Sequence, residues 1–390
     1  VEFNRARSGT LLALVASAAI FSSGCCKLVP WALAVDPSLT GTSDANGMLE
    51  PGETIVVAPS WHKTRVSFPG QPVPPGAFSC SSSDTETGTA GSLTGPVVAE
   101  YAIGADTVSY GTFGAIGTSN FQVGITRKCA NCYEVSVSAP TARPASHWDA
   151  NFTETLSGTR SATNTWTLHI GDSFTDVPRS QPFYKKIETL LHHGITSGCS
   201  PTEFCPGLAV SRGQLAVFVA KGLAGSAANI PVSATVGDEP YNCSEGGVSL
   251  FTDVAPTDTF CKHIHYLASK NVDAGCDSGL YCPDNDLTRL QMASFVARAL
   301  VQPGGDDAVP LTYGPDAVTH RSYSCDAASP NVHFSDVPET DPLCKAVHYL
   351  WAKGIIAGCT STDFCRGGDI TRDQMAKFLV NAFKLTPYGR

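Results

Sequence analysis

Charge is scarce in this chain: only 16% of its 390 residues are Asp, Glu, Lys or Arg, against about 25% in an ordinary soluble domain. That shortage argues against coiled coils and long solvated helices. Positive charge is in excess in neither half. Residues 1–170 carry 9 basic and 12 acidic side chains and residues 171–390 carry 17 and 23, so the halves stand at −3 and −6 and the whole at −9. Neither half offers the basic footprint that a phosphate backbone needs, which excludes nucleic acid as a partner. Catalytic signatures are missing too. There is no C-x-x-C-H, since Tyr133 follows Cys132, and no H-E-x-x-H, G-x-S-x-G or Walker loop. No cofactor or metal is implied, and an enzyme is not expected.

What is present is 36 Gly, 26 Pro and 15 Cys in a chain that is 42% hydrophobic, enough to build cores. Fifteen thiols are too many for a reducing compartment, so the chain reads as exported, to a cell surface or the extracellular space. The N-terminus agrees. Arg5 and Arg7 precede an apolar run, Leu11 to Phe21, that ends in Ser22, Ser23 and Gly24. Residues 1–26 therefore read as an export signal, or as a lipoprotein signal with Cys25 the modified residue.

Residues 37–170 alternate in the β manner, as in Thr54–Val57, Val97–Ile103, Phe121–Ile125, Tyr133–Val137 and Trp166–Ile170. Seven or eight short strands predict an immunoglobulin-like β-sandwich. Asp44-Ala45-Asn46-Gly47 with Glu50 and Glu53 reads as a turn before a strand, in preference to a calcium loop, because it lacks the spacing and third carboxylate of an EF-hand. Gly171-Asp172-Ser173 reads as a short hinge.

Self-similarity dominates the rest. Phe174-Thr175-Asp176-Val177 recurs as Phe251-Thr252-Asp253-Val254 and Phe334-Ser335-Asp336-Val337. At offset +23 from the Asp stand Cys199, Cys276 and Cys359, at +29 Cys205, Cys282 and Cys365, and at +36 Arg212, Arg289 and Arg372. The units span about 172–225, 226–302 and 303–386, the last two including linkers. Each predicts helix, loop, helix. The second helices open with Ser211-Arg212-Gly213-Gln214, Thr288-Arg289-Leu290-Gln291 and Thr371-Arg372-Asp373-Gln374, three expected capping boxes. Linkers of roughly 30 residues predict a closed arrangement in place of an open solenoid.

These motifs resemble three S-layer homology repeats of a cysteine-bearing variety, over about residues 172–386. The resemblance implies an all-α domain of pseudo-threefold symmetry that tethers a secreted protein to cell-wall glycan, often a pyruvylated polymer. It also implies glycan contact by Arg212, Arg289 and Arg372. One departure points to a different wall or envelope glycan: the family's first-helix Trp, near positions 182, 259 and 342, is replaced by Pro182, Thr259 and Pro342. Read from the residues alone, each arginine occupies a helix N-terminus, where the macrodipole disfavours a cation. Either it pairs with Asp176, Asp253 or Asp336 of a neighbouring repeat, or it faces a solvent-filled groove and holds a ligand's carboxylate or phosphate beside free helix N–H groups.

The cysteines pair by position. Cys199–Cys205, Cys276–Cys282 and Cys359–Cys365 are expected to close the loops between helices. Repeats two and three add Cys261 and Cys344 at +8 together with upstream Cys243 and Cys325, where repeat one has Tyr184 and no upstream cysteine, so Cys243–Cys261 and Cys325–Cys344 follow. Metal ligation is the alternative reading of these thiols. Cys129–Cys132 is expected to bridge a hairpin; Cys25, Cys26 and Cys80 are unassigned. The functional expectation is a non-catalytic surface protein bound to wall or envelope polysaccharide. The alternative is a subunit that assembles with copies of itself into a surface layer or filament. A wall-bound carbohydrate-active enzyme is a more distant third.

Overall fold

The structure is a computed structural model. It describes the backbone of residues 26–31, 48–57, 60–65, 85–86, 89–94, 98–103, 106–112, 122–129, 132–138, 148–157 and 162–387, and side chains at 48–54, 136 and 169–387. The signal, Cys25, Cys80, the side chains of Cys26, Cys129 and Cys132, and the sandwich core all lie outside the described residues.

The chain divides at Ile170/Gly171 into two compact units. In the first, Ala162–Ile170, Trp148–Ser157, Asp106–Thr112, Val98–Ile103 and Thr89–Thr94 form one sheet in that order. Thr54–Val57, Cys132–Ser138 and Gln122–Cys129 form a second, and Cys26–Trp31, Ser60–Arg65 and Thr85–Glu86 a third. Cys129 and Cys132 face each other in the register of an antiparallel hairpin. The Leu49-to-Glu53 segment is a turn whose Leu49, Glu50 and Glu53 are buried, and the Glu50 N–H donates to the Glu53 carboxylate at 3.0 Å.

The second unit holds six helices among the described residues: α1 Tyr184–His192, α2 Arg212–Ala224, α3 Cys261–Ser269, α4 Arg289–Val301, α5 Cys344–Ala352 and α6 Arg372–Ala382. Apolar spacing sets their buried faces; in α1 Tyr184, Ile187, Leu190 and Leu191 all point inward. The unit is not all-α. Its linkers fold into the hairpins Ser233–Val236/Glu239–Asn242 and Thr312–Tyr313/Tyr323–Ser324, each after a 3₁₀ turn, Ala227–Asn229 or Gly305–Ala308. Helical periodicity cannot anticipate them, because a ring and a disulfide hold each hairpin. Tyr241 stacks on His265 at 4.6 Å, and Cys243–Cys261 and Cys325–Cys344 tie each linker to α3 or α5.

The three repeats close on themselves through their backbones. The Leu287 N–H donates to the Val210 carbonyl, Ile370 to Leu287 and Val210 to Ile370, each at 3.0 Å. All three residues are fully buried. Each sits at the same offset, +34, from its motif Asp, so one position of the repeat makes the pseudo-threefold axis. An open solenoid cannot form the third of these bonds. Close approach also explains two helical glycines. A Cβ at Gly213 would meet Phe260 at 2.6 Å, and one at Gly222 would meet Phe383 at 2.3 Å.

Residues 172 and 173 belong to this unit and do not act as a free hinge. The Asp172 N–H donates to the Tyr184 hydroxyl at 2.7 Å, and Ser173 gives its N–H and its hydroxyl to Glu188 at 2.9 and 2.8 Å.

Candidate functional site

Each recurrent residue has a mechanical reason to recur. The motif Phe is buried against the aromatic residue at offset +28: Phe174 on Phe204, Phe251 on Tyr281 and Phe334 on Phe364, with centroids 5.4, 5.3 and 5.5 Å apart. The motif Asp grips the loop between the helices. Asp176 accepts the N–H groups of Phe204 and Cys205 at 2.8 and 2.7 Å, and Asp253 those of Tyr281 and Cys282 at the same distances. Asp336 accepts from Phe364 and Arg366 at 2.7 and 3.1 Å. The grip holds Cys205, Cys282 and Cys365 in the left-handed region, at φ 58°, 58° and 57°, which side-chain-bearing residues seldom adopt. All three loop disulfides form, with Cα separations of 6.0, 6.0 and 5.9 Å.

The arginines reach from one repeat into the next. Arg212 Nε donates to the Tyr281 carbonyl at 2.9 Å, Arg289 Nε to Phe364 at 3.0 Å and Arg372 Nε to Phe204 at 2.8 Å. Every guanidinium also lies over two rings of that next repeat, Tyr281 and Phe295, Phe364 and Phe378, or Phe204 and Phe218, at 4.8 to 5.5 Å. The expectation of solvent-facing arginines is therefore corrected: the three are 7, 8 and 4% exposed. Nor are the neighbouring helix N–H groups free. Arg212, Arg289 and Arg372 donate theirs to the carbonyls of Asn285, Gly368 and Leu208 in the following loop, at 3.0, 2.9 and 3.0 Å.

The remaining guanidinium nitrogens distinguish the seams. Arg212 Nη2 meets the buried Asp273 carboxylate at 2.7 Å. That partner is an Asp of the neighbouring repeat, but not one of the three motif residues. Arg289 Nη1 donates to Gln374 at 2.9 Å. Arg372 Nη2 and Gln214 Oε1 are buried without a hydrogen-bond partner among the described residues. Burial lowers the pKa of Arg289 and Arg372, and the carboxylates of Asp336 and Asp176 respectively oppose that shift.

These uses of Gln alter the caps. Only Thr288 and Gln291 form a complete capping box. Ser211 accepts from Gln214 N, while Thr371 makes no cap bond and Gln374 is drawn to Arg289 instead.

At offset +12 stands a second recurrent acceptor that the sequence reading missed: Glu188, His265 and His348. His265 Nε2 accepts the Leu250 N–H at 2.9 Å while Nδ1 lies 2.8 Å from the Cys261 carbonyl. His348 does the same with Phe334 and Cys344 at 3.2 and 3.0 Å. The helical i, i+4 pairs Cys261/His265 and Cys344/His348 were its signal. The Sγ atoms of Cys243, Cys261 and of Cys325, Cys344 lie beside these imidazoles, in groups whose donor atoms fall within 4.8 Å of one another. Disulfide sulfur is not the thiolate that a metal takes, so these pairs read as crosslinks.

Compared with known families, residues 173–216 and 250–293 match the S-layer homology domain. No curated protein matches the chain. The matched segments run from the residue before the motif Phe of repeats one and two into their second helices. Repeat three carries the same Asp grip, loop disulfide and arginine reach. An S-layer homology domain is thus present around residues 173–293.

Proposed function

We propose that the helical unit is a non-catalytic module that attaches an exported cell-surface protein to cell-wall or envelope polysaccharide. The observation that carries this reading is the match to the S-layer homology domain, whose members generally mediate such attachment. Export is supported by the five disulfides, which persist in oxidising surroundings. No helix among the described residues is long and apolar enough to cross a membrane. Within this reading the glycan lies along the seams between repeats. Arg212, Arg289 and Arg372 shape it by holding the seam walls together, since their guanidinium groups are turned inward. The strands before residue 171 are, in the same reading, an immunoglobulin-like module projected from the wall.

Co-sedimentation tests the proposal. The full chain is mixed with purified wall or envelope fragments, with fragments stripped of polysaccharide, and with buffer alone. Pelleting with intact fragments only is the expected result. A chain that stays in the supernatant throughout sinks the attachment reading, and one that pellets in buffer alone is a self-assembling subunit.

A further inference from the structure

The five disulfides with described side chains fall into two environments. In the loops between helices, the Sγ atoms of Cys199, Cys276 and Cys359 lie 3.4, 3.5 and 3.4 Å from the carbonyls of Glu203, Leu280 and Asp363. A carboxylate oxygen of Glu203 is also within 4.8 Å of both sulfurs of the first loop. Oxygen atoms of this kind repel a thiolate, so none of these sulfurs is suited to leave with a negative charge.

The two linker crosslinks are set differently. Cys261 and Cys344 are the first residues of α3 and α5, where the helix dipole favours a thiolate. One turn on stand His265 and His348. Their Nε2 atoms accept the backbone N–H groups of Leu250 and Phe334, so the ring proton stands on Nδ1. That side of the ring faces the sulfurs. His265 Nδ1 lies 3.6 Å from Cys261 Sγ and 3.8 Å from Cys243 Sγ, and His348 Nδ1 lies 3.5 Å from Cys344 Sγ. While the disulfides are closed, the proton is shared with the nearby carbonyls of Cys261 and Cys344. Burial lowers the pKa of both imidazoles and so favours this neutral form.

Repeat one shows that the fold itself does not require histidine at this position. Glu188 stands there and accepts the Ser173 N–H, as His265 accepts that of Leu250. The same repeat lacks the crosslink, with Tyr184 in place of the cysteine. A carboxylate fills the acceptor role but would repel a thiolate, whereas an imidazole fills it and turns an N–H toward the sulfur. The histidine therefore accompanies the disulfide. Access separates the two crosslinks: Cys243 is half-buried, while Cys261, Cys325 and Cys344 are buried.

We propose that Cys243–Cys261 is a thiol-exchange site, open to a small thiol or dithiol at Cys243, with Cys261 as the leaving sulfur and the His265 Nδ1–H as the group that stabilises it. The incoming thiolate attacks Cys243 Sγ. A new S–S bond forms there as the Cys243–Cys261 bond breaks, and the electron pair leaves on Cys261 Sγ, held by the imidazole N–H and the N-terminus of α3. A monothiol stays on Cys243 as a mixed disulfide. With a dithiol, the second thiolate attacks the first sulfur of the same reagent, so Cys243 leaves as a thiolate, the protein is reduced and the dithiol is oxidised to its own disulfide. A leaving thiol of lower pKa departs faster, which is what the imidazole and the helix supply. The inference is independent of the attachment reading, since no glycan enters it.

The test uses the full oxidised chain. It is held with glutathione or with dithiothreitol at neutral pH, quenched with N-ethylmaleimide over time, and the state of each cysteine is read by peptide mass spectrometry. Glutathione is expected on Cys243 and maleimide on Cys261, and Cys243–Cys261 should open before its sealed twin Cys325–Cys344. His265→Glu, which copies repeat one, should slow that opening about tenfold and leave the other four bonds unchanged. A variant that merely loosened the fold would speed the bonds up, so slowing cannot come from lost stability. His265→Gln keeps an acceptor for Leu250 and an N–H for the sulfur, and should restore much of the rate. Should His265→Glu fail to fold, the unaltered chain decides through the position of the adduct and the order of the two linker bonds. Glutathione on Cys261 in place of Cys243, a Cys325–Cys344 bond that opens first, equal rates in the parent and a folded His265→Glu, or slowing of all five bonds alike overturns the inference.

Discussion

Arg372 Nε donates to the carbonyl of Phe204 at 2.8 Å across 168 residues of chain, the bond by which the last repeat closes on the first. Phe204 is used on every side. Its N–H goes to Asp176, its ring packs on Phe174, and the guanidinium of Arg372 lies 4.8 Å above that ring. The two counterparts, around Tyr281 and Phe364, repeat the pattern. Thus F-[TS]-D-V and [ST]-R-x-Q act on one aromatic residue, the Asp from within the repeat and the Arg from the repeat before. A cation at a helix N-terminus is tolerated because the following loop takes the helix N–H groups and the rings and carbonyl take the charge.

Arg212→Ala is accordingly expected to destabilise the helical unit by about 3–5 kcal/mol, because it leaves the Asp273 carboxylate buried and uncompensated. Burial already raises the pKa of Asp273, which the guanidinium opposes. Denaturant unfolding of Arg212→Ala and of Arg212→Ala/Asp273→Ala checks this: the double variant should recover part of the loss. A double variant less stable than the single one would show that Asp273 does not depend on the arginine.

Asp176→Ala should cost about 1–3 kcal/mol, since two loop N–H groups lose a charged acceptor. The loop between α1 and α2 should then become the first site of proteolysis under non-reducing conditions, with the Cys199–Cys205 crosslink holding the cut ends together. Unchanged stability and an uncut loop would mean that the disulfide alone fixes the Cys205 backbone.

The repeats, the helices and all five disulfides with described side chains were legible in the sequence because they are periodic: three copies keep one spacing, and Cys243 and Cys325 appear only where Cys261 and Cys344 do. What periodicity could not reveal was direction. Whether Arg212 turns to solvent or into the next repeat depends on Tyr281 and Phe295, which lie 69 and 83 residues away along the chain. Gln214, Gln291 and Gln374 hold the same position of the repeat, yet one completes a cap, one serves an arginine and one carries a partnerless oxygen. Those roles are set partly within the motif, where Asp373 takes the Thr371 hydroxyl and the Gln374 N–H, and partly outside it by Asp273, which is Thr196 and Ile356 in the other repeats. The hairpins escaped for the same reason, being held by Tyr241 and Tyr323 against the distant His265 and His348.

Acid should loosen the unit well before the carboxylates are all protonated. Burial, aided by Lys262, lowers His263 to about 4, and burial lowers His265 and His348 as well. An unfolded histidine titrates at about 6.5 and so takes up a proton before the folded one does. The stability these residues contribute is full above that pH and falls as the pH drops toward 4. Melting temperatures measured from pH 7.5 to 4.5 should decline, and His263→Asn should flatten the decline. A wild-type curve that is level across this range would refute the assignment.

Gln214→Glu is expected to stabilise the protein, which is unusual for a carboxylate introduced at a half-buried position whose side-chain oxygen is shut off from solvent. The argument compares the three seams. Arg212 has Asp273 and Arg289 has Gln374, whereas Arg372 Nη2 and Gln214 Oε1 are each buried without a partner. Gln214 occupies in repeat one the place that Gln374 occupies in repeat three, so pseudo-threefold symmetry sets it beside the Arg372 guanidinium. A glutamate there gives the buried cation a charged acceptor, and a hydrogen bond of that kind contributes about 1.5–3 kcal/mol. Some of this gain is offset by desolvation of the new carboxylate, so a net gain of about 1 kcal/mol at neutral pH is expected. The gain should vanish in Gln214→Glu/Arg372→Met, which removes the cation and keeps the packing volume. Denaturation midpoints of the two variants and the parent decide the matter: a single variant less stable than the parent would mean that the two side chains do not meet across the seam.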